Sequence, residues 1–180
     1  LYPGAVIFRP SIVFGPEDDF FNRFAKLARI APVLPLIGGG NTRFQPVFAG
    51  DVAKAVIAGL TGKAEAGAPY ELGGPEVLTL KEVMERVFAY TMRKRLLVPE
   101  PFWLAKRQAA FLQWLPKPPL TIDQVRLLQS DNVVSEAAQR EKRTLEGLGI
   151  MPRGIAGIVP SYLYRYRRAG QFTGPSGTPE

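Results

Sequence analysis

The order of apolar and polar positions divides the chain into short extended runs and amphipathic helices. Residues 5–9, Ala-Val-Ile-Phe-Arg, are apolar until the last. Such a run predicts a strand covered on both faces and stopped by Pro10. The segment Val13-Phe14-Gly15-Pro16 reads as a turn. Over 17–31 the helical period puts Phe20, Phe21, Phe24, Leu27, Ala28 and Ala31 on one face. Glu17, Asp18 and Asp19 suit the positive end of that helix, and Pro32 and Pro35 end it. Gly38-Gly39-Gly40-Asn41 predicts a turn. Residues 43–48 predict an edge or exposed strand, because Pro46 cannot donate to a ladder. Asp51 reads as the N-cap of a helix over 52–60.

Tyr70-Glu71-Leu72 is a second strand, closed by Gly73-Gly74-Pro75. Thr79 and Glu82 have capping-box spacing, with Leu78 and Val83 placed as a hydrophobic staple, and open a helix to about Met92. Leu96-Leu97-Val98 reads as a short strand. Pro101 opens a helix to Leu115 whose Phe102, Trp103, Leu104, Phe111, Leu112 and Trp114 are too apolar for a solvated helix. That helix requires a partner, and Pro116, Pro118 and Pro119 break it. Thr121 caps a helix through Gln129, and helices over 135–148 and 155–168 complete a helix-rich end. Residues 173–180 are rich in Gly, Pro, Ser and Thr and read as a flexible tail after one unit over 1–172. The pattern is that of an α/β chain without internal repeats.

Composition narrows the chemistry. Among 180 residues there is no Cys and no His. Disulfides, thiolate metal sites, His-ligated metals and Ser-His-Asp triads are therefore excluded from the chain. Acid–base work would fall to Tyr, Lys, Asp or Glu. Lys and Arg number 23 against 16 Asp and Glu, a formal charge of +7. The excess gathers at 93–95, at 140–143, and at Arg165, Arg167 and Arg168. Solvated helix ends explain such clusters, and so does docking to an anionic partner or lipid surface. The Tyr-rich run over 162–168 reads as an amphipathic helix with its rings against the body, and nucleic acid is not an expected partner. No stretch reaches the roughly 18–20 apolar residues that a spanning helix needs.

Candidate motifs are sparse. A dinucleotide fingerprint starting at Gly38 would need glycine at position 43, which is Arg43, and an extended segment rather than a helix follows. Tyr90 and Lys94 have Tyr-x-x-x-Lys spacing, but they sit at a helix end in a basic run and read as coincidental. Asp18, Asp19 and Asp51 are explained as helix-start charges and a cap.

The order of segments carries more. Residues 6–16, Val-Ile-Phe-Arg-Pro-Ser-Ile-Val-Phe-Gly-Pro, resemble the R-P-x-x-V-(Y/F)-G-P segment of extended short-chain dehydrogenase/reductases. Asp51-Val52-Ala53 is similar to their D-V-A helix start, and residues 70–75 to their Y-x-(I/L)-G-G strand. Residues 14–22 and 43–47 resemble the atypical branch that includes the 39-kDa accessory subunits of respiratory complex I. The resemblance spans most of 5–165. It implies the C-terminal part of a Rossmann-like α/β fold, with a small helix-rich substrate-side subdomain. The glycine fingerprint and the catalytic Tyr and Lys would precede residue 1, leaving no catalytic residue in this chain. Pro10, Ser11, Ile12 and Val13 would lie beside the nicotinamide end of the cofactor, with Phe14, Phe20, Asn22 and Arg43 bordering the substrate cleft.

The implied cofactor is NADP(H) or NAD(H), held mainly by the N-terminal Rossmann half. That half and other subunits of a respiratory complex are the implied partners. The implied location is peripheral, on the cytoplasmic side of a bacterial inner membrane or the matrix side of a mitochondrial one. Two departures stand out: Arg43 lies one residue further from Asp51 than in sugar-nucleotide epimerases, and Phe48 stands where they carry His. An active epimerase, dehydratase or reductase, and a basic module docking on lipid, remain open alternatives.

Overall fold

A computed structural model describes residues 4–67, 69–114 and 120–168. The first strand, β1 (Phe8–Pro10), pairs in parallel with β6 (Tyr70–Leu72). It starts later than the apolar run suggests, and it includes Pro10. The carbonyl of Ile7 accepts from Tyr70 N–H and the N–H of Ser11 donates to the Leu72 carbonyl. Pro10 alternates with these residues, so its donorless nitrogen faces the other edge. That edge has no partner among the described residues, and Ile7, Arg9 and Pro10 are exposed. The expected cover on both faces is therefore incomplete.

The segment expected as a turn forms β2 (Val13–Phe14), parallel to β5 (Val47–Phe48). Only Gly15 and Pro16 turn. Helix α1 (Phe20–Ile30) begins three residues later than expected. The Asp18 carboxylate stays outside it and accepts the N–H groups of Phe21 at 2.6 Å and Asn22 at 3.3 Å. Helix start and acidic cluster are thus joined by capping.

A strand that the sequence conceals follows at once. β3 (Val33–Ile37) contains Pro35, which reads as a helix terminator. β3 runs parallel to β8 (Leu96–Glu100), with Val33 opposite Leu96 and Pro35 opposite Val98. Gly38, Gly39 and Gly40 then turn the chain with φ of 63°, 71° and 75°, which L side chains resist. The expected single extended piece over 43–48 is two short strands. β4 (Arg43–Phe44) pairs antiparallel with β7 (Leu78–Thr79), while β5 pairs elsewhere. Gln45 and Pro46 lie between them, and Phe44, Pro46 and Val47 are buried, so this segment is interior.

Helix α2 (Ala49–Leu60) begins two residues before Asp51, which therefore lies in the first turn and is not the N-cap. Helix α3 (Leu80–Thr91) has the expected capping box between Thr79 and Glu82 and ends at Met92, whose φ is 52°. That left-handed cap carries Lys94 off the helix, so Tyr90 and Lys94 do not share a helical face. Helix α4 (Phe102–Leu112) follows Pro101, and α5 (Ile122–Leu127) has a capping box between Thr121 and Gln124. Ala105 and Ala109 of α4 pack with Ile37 and Val125. Residues 115–119, with their prolines, and the tail over 173–180 lie outside the described residues.

The expected last two helices are broken. Ser135 caps α6 (Glu136–Arg140), where Lys142 takes a φ of 56° soon after. The final segment breaks at Val159–Pro160 into α7 (Ile155–Ile158) and α8 (Pro160–Leu163), then tightens over Tyr164–Tyr166. Its Ile155, Val159, Leu163 and Tyr166 close the main core against Phe14, Phe21, Val83 and Val87 of β2, α1 and α3. Burial of these side chains, at about 25 cal/mol per Å² of apolar surface, is the main force holding the C-terminal segment in place.

Candidate functional site

The carboxyl ends of β1 and β6 open onto a shallow cavity of about 210 Å³. Pro10, Ser11, Leu72, Asp131, Asn132 and Val134 are among its lining residues. This is where parallel strands place ligands, because the chain turns away and exposes main-chain groups there.

The far wall comes from residues 131–135, and hydrogen bonds explain its position. Asn132 N–H donates to the Arg43 carbonyl at 2.8 Å, and Gln45 N–H donates to the Asn132 carbonyl at 3.1 Å. Gln45 clamps both walls: its Nε2 donates to the Gly74 carbonyl at 2.8 Å and its Oε1 accepts Val134 N–H at 2.9 Å. Ser135 N–H donates to the Glu71 carboxylate at 2.7 Å. Gly74 permits this closure, since a Cβ there would stand 1.9 Å from the Pro46 carbonyl oxygen. Gln45 and Glu71 lie in segments that the sequence marks for fold, but neither they nor Asp131 and Asn132 were expected as site residues. Their partners are distant in sequence and mostly main-chain atoms.

The expected site residues separate into two groups. Pro10 and Ser11 line the cavity. The Ser11 hydroxyl donates to the Asn132 carbonyl at 2.8 Å and accepts Gln45 N–H at 3.3 Å, so it is committed to holding the wall. Ile12 is half-buried and Val13 exposed just beyond. Arg43 stands at the rim, where Asp131 accepts its N–H at 2.8 Å and its Nε at 2.9 Å. Those two bonds hold the Asp131 carboxyl below the usual carboxylate range.

Phe14 and Asn22 lie in the interior, and Phe20 is half-buried at the edge of the core. Phe14 is fully buried, and Phe20 packs edge-on to Phe21 and Phe24. Asn22 is also buried, and both ends of its amide are engaged. Its Nδ2 donates to the carbonyls of Pro16 and Asp18, and its Oδ1 accepts from Arg165 and the Tyr166 hydroxyl. The C-terminal arginines are similarly occupied: Arg167 Nε donates to the Tyr90 carbonyl at 2.9 Å. Arg165 and Arg167 thus fasten the last segment to the body. Burial, followed by the Asp18 carboxylate that accepts its O–H at 2.6 Å, pushes the Tyr162 hydroxyl far above its ordinary pKa.

The first turn of α2 holds an ion cluster around a buried carboxylate. Asp51 is 0% exposed. It accepts Arg153 N–H at 2.8 Å, Arg153 Nε at 3.2 Å and Lys54 Nζ at 3.1 Å. Burial raises its pKa, but these hydrogen bonds outweigh it and leave the carboxyl below its ordinary value. A lowered folded-state pKa stabilises the fold above the unfolded value near pH 4, and that gain is lost as pH falls through the folded pKa. We expect the urea midpoint to drop on acidification below about pH 4, and to drop less in Asp51→Asn. Equal acid sensitivity of the two proteins would contradict this role.

Among the described residues no group of three Asp, Glu, Cys or His side chains could hold a metal ion. The cavity offers main-chain groups and the carboxylates of Glu71 and Asp131, both held by hydrogen bonds.

No family model matches the chain. It is 35% identical over 178 residues to the mitochondrial NADH dehydrogenase [ubiquinone] 1 alpha subcomplex subunit 9 of Arabidopsis thaliana, covering 93% of this chain and 43% of that protein. It is 28% identical over 181 residues to the mitochondrial NADH-ubiquinone oxidoreductase 40 kDa subunit of Neurospora crassa, covering 99% of this chain and 46% of that subunit. The chain therefore spans less than half the length of these relatives.

Its fold matches the dTDP-glucose 4,6-dehydratase of Streptomyces venezuelae, solved with NAD and TYD bound, with a TM-score of 0.58 and 18% identity over 91% of this chain and 44% of that one. The Thermotoga maritima UDP-glucose 4-epimerase also gives 0.58, at 15% identity over 91% of this chain and 46% of that one. No helix of the described residues is long and apolar enough to cross a membrane. The chain is thus similar in sequence to part of the subunit 9 and 40-kDa proteins of mitochondrial NADH:ubiquinone oxidoreductase, and its Rossmann-like α/β fold is shared with the dTDP-glucose dehydratase and the UDP-glucose epimerase.

Proposed function

We propose that the chain is part of a peripheral accessory subunit of a complex I-type respiratory enzyme, in which it borders a bound dinucleotide and serves structure rather than catalysis. The observation that carries this reading is the 35% identity over 93% of the chain to the Arabidopsis subunit. The cofactor is NADP(H) or NAD(H). Its pyrophosphate is held by a preceding Rossmann half with the glycine fingerprint, and Pro10, Ser11, Ile12 and Val13 border its nicotinamide end. Arg43 stands at the mouth of the substrate-side cleft, with Phe14, Phe20 and Asn22 supporting its floor from within.

The open edge of β1 and the outward Val56, Ile57 and Leu60 of α2 are where that preceding half docks. Gly59 brings α2 against Phe8 of β1, so the edge and the apolar helix face form one surface. The assembly lies on the matrix side of a mitochondrial membrane or the cytoplasmic side of a bacterial one. A second reading, an active NAD(P)-dependent epimerase, dehydratase or reductase, draws on the fold shared with the dehydratase. Its Tyr and Lys would come from the preceding half.

Affinity purification of the tagged protein from mildly solubilised source membranes tests the first reading. Co-purification with subunits of the respiratory NADH dehydrogenase is expected. Recovery free of them, with dehydrogenase or epimerase turnover, would establish the second. In calorimetry the 180-residue chain alone should not bind NADPH tightly. Micromolar binding would contradict a phosphate cradle in the preceding half.

A further inference from the structure

The two faces of the β3–β8 pair differ sharply. Leu34 and Leu36 are buried in a core with Met84 of α3, and Leu97 packs against it. The opposite face carries Val33, Pro35, Leu96 and Val98, all exposed, with Leu96 at 62%. α4 covers only the carboxyl end of that face, at Ile37. Its own outward stripe is open: Trp103 is 61% exposed and Phe111 77%, with Trp114 at 86% just beyond the helix end. Ile30, at the end of α1, is 79% exposed.

Charge on these segments is one-sided. Residues 29–37 and 93–114 contain six Lys and Arg and a single carboxylate, Glu100, which is buried. Arg93 and Arg95 are fixed by donating Nε to the carbonyls of Tyr166 and Ala28. Neither they nor Arg29, Lys94 or Arg107 forms an ion pair among the described residues. Burial and the charges of Arg95, Arg168 and Arg29 hold the Arg93 guanidinium below its ordinary pKa, so the cations crowd one another. Glu85, the acidic residue of the hollow formed with Arg93, Lys94 and Arg95, is turned to Lys81 at 3.8 Å.

We infer that this face, the outer side of β3 and β8 with the aromatic stripe of α4, docks on an anionic lipid bilayer. The inference deepens the peripheral-subunit reading by naming the surface that meets the membrane. An apolar strip with Trp at its margin and cations around it matches the boundary between acyl chains and anionic headgroups. Long Lys and Arg stems lie along the apolar surface while their charges reach phosphate. Arg165 and Arg167, which charge alone suggested for this role, are occupied in fastening the C-terminal segment.

Trp103 and Trp114 are the chain's two tryptophans, so intrinsic emission reports on this face alone. With phosphatidylcholine vesicles containing phosphatidylglycerol, the protein should sediment and its emission should shift to the blue. Pure phosphatidylcholine should produce neither effect. Leu96→Ser with Val98→Ser, and separately Lys94→Gln with Arg107→Gln, should each weaken binding by ~tenfold or more. The charge variant alters exposed groups only and keeps the test valid if the strand variant unfolds. Absence of a blue shift would overturn the inference. So would binding that salt removes but the apolar variant leaves unchanged, since that is diffuse attraction to a +7 protein. If the variants lose co-purification with respiratory subunits while the wild type ignores vesicles, the face is a protein interface and the lipid assignment fails. Intact co-purification with no vesicle binding would sink the lipid inference alone.

Discussion

Replacing Gly74 by alanine should destabilise the protein by about 3 kcal/mol or more, the upper range for an overpacked interior. The added Cβ would stand 1.9 Å from the Pro46 carbonyl oxygen, which is backbone and cannot rotate away. Relief requires the 45–47 segment to separate from the end of β6. That movement breaks the Gly74 N–H bond to the Gln45 carbonyl and pulls Val47 from its place beside β2. Gly73→Ala offers the control. Its Cβ would meet the Gln45 and Val134 side chains at 2.5 and 2.6 Å, and these can shift. Urea unfolding of both variants measures the difference. A loss below about 1 kcal/mol for Gly74→Ala would show that the two segments separate freely.

The second large effect is expected at Asp51. Asp51→Ala should cost about 2–3 kcal/mol. It removes the acceptor for one main-chain N–H and two cationic side chains, and leaves Arg153 N–H without its partner. Arg153 and Lys54 are about half exposed, so water recovers part of the loss. The figure therefore stays below that of a fully buried pair. Arg153 also lies over the Phe48 ring, 4.2 Å from its centroid, so the change should loosen the join between β5 and the 150s loop. Asp51→Asn keeps the shape and one acceptor and should cost roughly half as much. Thermal or urea unfolding at neutral pH checks both, and an unchanged midpoint in Asp51→Ala would refute the hub role.

Local chemistry explains what the sequence revealed. The capping box at Thr79 and the cap at Thr121 are complete within four residues and formed as read, the latter gaining a reciprocal bond from Gln124 and opening a helix that ends at Leu127, two residues short of the expected Gln129. The Tyr70–Leu72 strand and its two glycines were likewise legible, because β-forming residues and turn residues sit side by side. The concealed features depend on distant partners. Pro35 speaks against a strand until Val98 is known to lie beside it. Asp51 looks like a cap until Arg153 is brought to it across the fold. The cavity wall at 131–135 is held by Arg43, Gln45 and Glu71, partly through main-chain bonds that any residue would supply and partly through the Gln45 amide and the Glu71 carboxylate, whose partners are remote in sequence. Phe14 and Asn22 belong to motifs whose order marks the fold, yet their side chains serve the interior. A motif can thus identify a protein without each of its residues touching a ligand.

The pairing of the strands carries a consequence for how the chain acquires its shape. Phe8 meets Tyr70, Val13 meets Val47, Val33 meets Leu96 and Arg43 meets Thr79. Every described pair joins remote stretches, and none is a local hairpin. Two-stranded pairs of two- to five-residue strands cannot persist alone, so they await the collapse of helices that form locally. The self-capped α3, lying between β7 and β8, is the natural early element. Substitutions in its capping box should slow folding, whereas those in the strands should chiefly speed unfolding. Until β3 and β8 meet, Val33, Leu96 and Val98 are unpaired apolar strand segments. The folding chain is then most exposed to aggregation at the face it keeps open when folded.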